Sequence, residues 1–164
     1  MKMTLYRMLS RIEVELTPEQ IDARIKQATQ NISLDPQDVS SHLDRARCYK
    51  QKEEFDKAIA DYTKVIELEP KHKEIACVYE NRALSYCQKG DFDKAIEDYN
   101  RAIGLDNWSY YYYLRGKAYA EKGDVDKAIA DYAEAVKLDS DDDKFKSALE
   151  QAKSSATKEG ASKK

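Results

Sequence analysis

The side chains able to do chemistry in this 164-residue chain are few and scattered. Two histidines, His42 and His72, stand in no His-x3-His spacing and are accompanied by no Cys-x2-Cys pair. Neither a tetrahedral metal site nor a histidine-assisted nucleophile is therefore written into the chain. His42 falls at an aromatic packing position and His72 in a loop, so both have packing or surface explanations. The glycines form no cluster of the kind whose backbone amides cradle a phosphate. Three cysteines, Cys48, Cys77 and Cys87, cannot all pair. Cys77 and Cys87 fall on one expected helix, about 15 Å apart at a rise of about 1.5 Å per residue, beyond the reach of a disulfide. No disulfide framework is present, which suits a reducing compartment. Asp and Glu are plentiful but stand beside Lys on helix faces that read as solvated surface. The expectation is a chain with no catalytic residue, no metal ligand and no cofactor, and not an enzyme.

What the chain does contain is repetition. Glu54-Phe-Asp-Lys-Ala-Ile-Ala-Asp-Tyr62 is rewritten as Gly90-Asp-Phe-Asp-Lys-Ala-Ile-Glu-Asp-Tyr99 and again as Gly123-Asp-Val-Asp-Lys-Ala-Ile-Ala-Asp-Tyr132. The shared alanines Ala58, Ala95 and Ala128 are 37 and 33 residues apart, with the irregularities near His72 and Trp108, between repeats, where a loop absorbs them. Tyr79, Ala83 and Tyr86 share one helix face, as do Ala95, Ile96, Tyr99, Ala102 and Ile103. Lys89-Gly90-Asp91 and Lys122-Gly123-Asp124 are helix stops, glycine supplying the left-handed conformation. Each unit is therefore an antiparallel helix pair. Small Ala83, Gly116, Ala95 and Ala128 mark close helix approach, with tyrosines filling the space around them.

The copies carry Tyr79, Arg82, Ala83, Tyr86, Ala95 and Tyr99; Tyr112, Arg115, Gly116, Tyr119, Ala128 and Tyr132; and His42, Arg45, Ala46, Tyr49, Ala58, Tyr62 and Pro70. This pattern resembles the tetratricopeptide repeat family. The resemblance runs from about Val39 to Ser140 and implies an all-α, right-handed α-solenoid of antiparallel helix pairs. Three repeats are expected at 39–72, 76–108 and 109–140, after N-terminal helices in 1–38 and before a capping helix in 141–153. Residues 154–164, lacking an apolar face, are expected to be a disordered tail.

Charged residues make up 36% of the chain and the formal net charge is −3, so a basic footprint for nucleic acid is absent. Leu5, Met8, Leu9, Ile12 and Leu16 have amphipathic helical spacing but are interrupted by Arg7, Arg11, Glu13 and Glu15. This segment is neither an export signal nor a membrane span. A cytoplasmic location follows as the default, with the segment capping the solenoid end or docking a partner. Thr17-Pro18-Glu19-Gln20 starts a helix by a capping box with proline at its first position. That helix ends in Ile32-Ser-Leu34-Asp35-Pro36, which echoes the end of the first full repeat, yet Arg24 and Ala28 replace the shared alanine and tyrosine. It reads as the second helix of a decayed repeat. Phe145, Ala148, Leu149 and Ala152 give the last helix its apolar face behind an acidic start at Asp139–Asp143.

The resemblance also implies where a partner binds, since the family's first helices line a concave groove. Its groove positions correspond here to Ser40, Leu43, Asp44, Arg47 and Gln51; to Cys77, Glu80, Asn81, Leu84 and Gln88; and to Tyr110, Tyr113, Leu114, Lys117 and Glu121. Tyr111 and Tyr112 are expected to pack, and Tyr113 to face the ligand. The implied function is an adaptor or scaffold binding an extended segment or a helix of another protein. Leu43, Leu84, Tyr113 and Leu114 would make apolar contact and Asn81 and Arg47 polar contact, with little dependence on salt. Two alternatives remain. Co-chaperones of the family grip the acidic C-terminal tails of heat-shock chaperones by a two-carboxylate clamp, of which this chain keeps Asn81. Leu43 and Arg47, then Tyr110 and Leu114, replace its other residues. Self-assembly through the N-terminal helix is the second alternative, so that the chain is expected to be a monomer or a weak homo-oligomer.

Overall fold

A computed structural model describes residues 16–71 and 75–162, which contain eight helices and no strand. These are α1 (Pro18–Leu34), α2 (Val39–Gln51), α3 (Phe55–Leu68), α4 (Ile75–Gln88), α5 (Phe92–Leu105), α6 (Ser109–Lys122), α7 (Val125–Leu138) and α8 (Asp143–Ser162). The readings made for residues 1–15 and for His72 lie outside the described residues.

Local chemistry accounts for the helix ends. Thr17 Oγ1 accepts from the Gln20 amide at 3.3 Å while Gln20 Oε1 accepts from the Thr17 amide at 2.9 Å, closing the capping box in front of Pro18. Asp38 caps α2 through the Ser41 amide at 3.2 Å. Gly90 and Gly123 take φ of 76° and 88°, as the helix-stop reading requires. In the first repeat the same turn is made by Glu53 at φ 59°, a conformation that strains a residue with a Cβ.

Each helix packs against the one before and the one after it, so α2 with α3, α4 with α5 and α6 with α7 form the repeat pairs and α8 closes the end on α7. Alanine makes the approach possible: Ala46, Ala58, Ala83, Ala95, Ala102, Ala128 and Ala135 are wholly buried. Tyr62 and Tyr99 fill the space beside them, also without exposure to solvent of any consequence. In the third repeat Gly116 replaces the alanine, and a Cβ there would lie 2.8 Å from the Tyr132 ring and 3.3 Å from the Ala128 carbonyl oxygen. The Tyr113 ring stands 5.9 Å from Tyr132 and is itself backed by Phe145 at 5.2 Å, which limits how far Tyr132 can shift on that side.

One polar device recurs sixteen residues apart in every repeat. Arg45 forks onto Asp61 at 2.7 and 2.8 Å, Arg82 onto Asp98 at 2.8 and 2.7 Å, and Arg115 onto Asp131 at 2.8 and 2.7 Å. The remaining guanidinium nitrogen of each reaches the preceding repeat, on Thr29 at 3.2 Å, Thr63 at 2.9 Å and Asn100 at 2.5 Å. Asp61, Asp98 and Asp131 are buried, which corrects the expectation that the chain's acids are solvated surface. Burial pushes the Asp98 carboxyl above the usual range, and the two bonds from Arg82 pull against it. His42 shares the first of these aspartates, with Nδ1 2.9 Å from Asp61 and Nε2 3.2 Å from the Pro36 carbonyl oxygen.

The C-terminal segment departs from expectation. Residues from Ser154 onward were expected to be a disordered tail, yet α8 continues to Ser162. Once a helix is nucleated each added residue gains a hydrogen bond for one residue fixed, so a polar, alanine-containing stretch extends it without a full apolar face. Ala152 and Ala156 are half-buried along this extension.

Two glycine substitutions test the packing with opposite signs. Gly104 has nothing within 4 Å of an added Cβ, so Gly104→Ala should stabilise by roughly 0.5–1 kcal/mol. Gly116→Ala gains the same helix preference but overpacks against Tyr132, and a net loss of roughly 1–2 kcal/mol is expected in urea denaturation. Equal, stabilising shifts for both would show that the α6–α7 contact is looser than its geometry indicates.

Candidate interaction face

The first helices of the pairs lie side by side. Lys50 of α2 donates to Asn81 Oδ1 of α4 at 2.8 Å, and Cys77 Sγ of α4 lies 3.9 Å from the Tyr111 hydroxyl of α6. Their common face carries most of the residues chosen from the sequence, but at three different depths. Ser40, Asp44, Gln88, Lys117 and Glu121 are exposed. Arg47, Gln51, Cys77, Glu80, Asn81, Leu84 and Tyr110 are half-buried. Leu43, Tyr113 and Leu114 are buried, at 6%, 7% and 5% exposure, and belong to the core rather than to a binding surface.

Tyr113 was expected to face a ligand and Tyr112 to pack, and the structure reverses them. α8 crosses this end of the face and sets Phe145 against Tyr113, while Tyr110 stacks on Tyr113 at 5.8 Å. Burial raises the Tyr113 hydroxyl's pKa, and pushes that of Tyr132 up to about 12. Tyr111 is buried at 1% exposure, as expected. Tyr112 is only half-buried: its ring lies 5.4 Å from the Arg115 guanidinium and its hydroxyl donates to Asn107 at 2.8 Å. Leu43 and Leu114 are likewise taken up by the packed core between helices.

Asn81 is engaged at both ends, accepting from Lys50 and donating to the Cys77 carbonyl at 2.8 Å. Lys50 was not singled out from the sequence, although it lies one helical turn beyond Arg47 and so on the same side of α2. Lys144 was missed as well, because it comes from the capping helix: its ammonium group lies 4.9 Å over the Tyr113 ring and 5.6 Å over Tyr110. The thiols of Cys48 and Cys87 are pushed up by burial and stay protonated, which makes them poor nucleophiles. Among the described residues, no three His, Cys, Asp or Glu side chains are grouped to hold a metal ion, and no helix is long and apolar enough to cross a membrane.

Family models described as tetratricopeptide repeat match residues 37–107 and 80–143. The chain belongs to the tetratricopeptide repeat family. Among solved structures it is similar to MamA, with a TM-score of 0.79 at 22% identity over 86% of this chain and 81% of that one. It is also similar to the first repeat domain of Spaghetti (RPAP3) bound to the HSP90 peptide SRMEEVD, with a TM-score of 0.66 at 23% identity over 75% of this chain and 96% of that one. The Sgt2 repeat domain from Aspergillus fumigatus has a TM-score of 0.66 at 23% identity, over 75% and 82% of the two chains. No curated protein matches the sequence significantly. These similarities are likenesses of fold, and the family is one of protein-interaction scaffolds.

Truncating the two tyrosines should separate core from surface. Tyr113→Ala is expected to cost on the order of 3–5 kcal/mol of folding stability, as for other buried aromatics. Tyr112→Ala should cost roughly 1–2 kcal/mol, the worth of a half-exposed cation contact and one hydrogen bond. Denaturation midpoints in the opposite order would mean that α6 presents its other side to α8.

Proposed function

We propose that this tetratricopeptide repeat chain is an adaptor that binds an extended segment of a partner protein along the face of α2, α4 and α6. The observation that carries the reading is the composition of that face: a row of polar and charged side chains, Asp44, Arg47, Gln51, Glu80, Asn81 and Lys117, left exposed or half-buried on helices whose apolar residues are already used in the core. Leu84 and Tyr110 supply the remaining apolar contact. Recognition on such a face is charge-directed, and this replaces the expectation of salt-insensitive apolar binding through Leu43, Tyr113 and Leu114. Exposed charge pairs are weak singly and act through complementarity along the segment.

The similarity to the SRMEEVD-bound domain raises the co-chaperone alternative, and two observations weigh against it. Leu43 and Leu114, at two of the clamp positions, are buried, and Asn81 is held by Lys50 and by its own helix. SRMEEVD is therefore expected to bind no more tightly than its C-terminally amidated form in isothermal titration, and a marked preference for the free carboxylate would restore the clamp reading.

The adaptor reading is tested by affinity capture with charge reversals. Asp44→Arg with Lys117→Glu changes the face at exposed positions, and Glu97→Lys, exposed on the second helix α5, is the control. A partner retained by the control and lost by the double variant occupies the face; the opposite pattern places it on the outer side. Its affinity should fall steeply between about 0.01 M salt, where the screening length is about 30 Å, and about 1 M, where it is about 3 Å.

A further inference from the structure

At the C-terminal end of the face, two lysines from different helices converge on one aromatic ring. Lys117 of α6 lies 5.9 Å from the centroid of Tyr113 and Lys144 of α8 lies 4.9 Å from it, with Tyr110 stacked alongside. Both lysines are exposed. Several other lysines of the chain find carboxylates: Lys52 reaches Asp22 at 2.6 Å, Lys122 reaches Asp93 at 2.5 Å and Lys127 reaches Asp124 at 2.9 Å, and Lys89 pairs with Asp56. Among the described residues Lys117 and Lys144 make no ion pair.

The absence is not for want of acids nearby, since the turn entering α8 carries Asp139, Asp141, Asp142 and Asp143. Each of them accepts a bond from a nearby group instead, Asp141 from the Ser140 hydroxyl at 3.4 Å. Asp142 accepts from the Lys144 amide at 2.8 Å, Asp143 accepts from Lys146 Nζ at 3.1 Å, and Asp139 accepts from the Asp141 amide at 3.4 Å. The ring faces attract both ammonium groups, but each such contact is weak at an exposed site and leaves the cation's other donors free. Two unpaired cations, 5.9 and 4.9 Å from the same ring centroid, favour an anion that reaches both.

We propose that Lys117 and Lys144, backed by Tyr110 and Tyr113, form a corner that grips the side-chain carboxylate of an acidic segment lying along the face. The proposal rests on the adaptor reading and names the partner's chemistry at one end of the site. It makes the capping helix part of the binding surface. It also differs from the family's two-carboxylate clamp, whose third-repeat positions are here Tyr110 and Leu114. The four aspartates offset the long-range field of the lysines, so the grip comes from direct ammonium contacts.

The probe is N-acetylated, C-terminally amidated tetraglutamate, titrated into the full chain with tetraglutamine as control. Trp108, the single tryptophan, lies 5.3 Å from the Tyr110 ring and reports by fluorescence. A saturable response to tetraglutamate alone is expected. The dissociation constant should rise about fivefold in Lys117→Gln/Lys144→Gln, as for the loss of two exposed ion pairs, with circular dichroism unchanged. Binding that survives this double variant but is lost in Arg47→Gln overturns the corner while leaving the face as the binding surface. No saturable response overturns the corner too, and the adaptor reading is then decided separately by the charge-reversal capture. A response seen only when the peptide's C-terminus is left free overturns the assignment to side-chain carboxylates.

Discussion

A guanidinium forked onto a buried carboxylate holds each repeat to its neighbour. In Arg45–Asp61, Arg82–Asp98 and Arg115–Asp131 the arginine comes from the first helix and the aspartate from the second, and the third nitrogen reaches the second helix of the preceding repeat. One residue thus joins three helices. Removing either member would strand the other as a buried charge, typically a loss of about 3–5 kcal/mol. The planar fork also admits only one relative placement of the helices, because a slip of one residue carries the carboxylate about 100° around its helix. The series stops where its acceptors stop: Thr29, Thr63 and Asn100 are followed at the equivalent position by Ala133, and α8 carries no arginine to use one.

The apolar packing is built to fit that placement. Fully buried alanines allow the helices to approach, and Tyr62, Tyr99 and Tyr132 occupy the space between them. The third repeat closes differently, with Gly116 admitting the Tyr132 ring and Phe145 of the capping helix completing the core against Tyr113. This closure alters the surface as well as the core. By covering Tyr113 and leaving Tyr110 at its edge, α8 converts what would have been an aromatic patch into an aromatic corner edged by Lys117 and Lys144.

The face that results is rigid where it is apolar and adjustable where it is charged. Its helices are fixed by the core beneath, while the side chains that meet solvent are long and polar. Such a surface gains partner selectivity from the order of charges along a bound segment more than from buried area. An arrangement of this kind suits a scaffold whose partners are held reversibly.

The repeat, the helix pairs, the glycine stops at Gly90 and Gly123 and the tight positions at Ala95 and Ala128 were all determined by the sequence alone, because each rests on local periodicity or on backbone conformation. The buried ion pairs were legible but unread: arginine and aspartate recur sixteen residues apart three times, yet a carboxylate on a helix looks the same in sequence whether it faces water or a guanidinium. Helical spacing places Tyr112 and Tyr113 about 100° apart. It does not say which of them meets another helix. That was decided by α8, which returns from some thirty residues further along the chain to set Phe145 against Tyr113, and whose continuation to Ser162 rests on helix propagation rather than on an apolar pattern. Burial is a property of what the rest of the molecule places against a residue, so which of Tyr112 and Tyr113 lies inside is set by the capping helix and not by the repeat's own pattern.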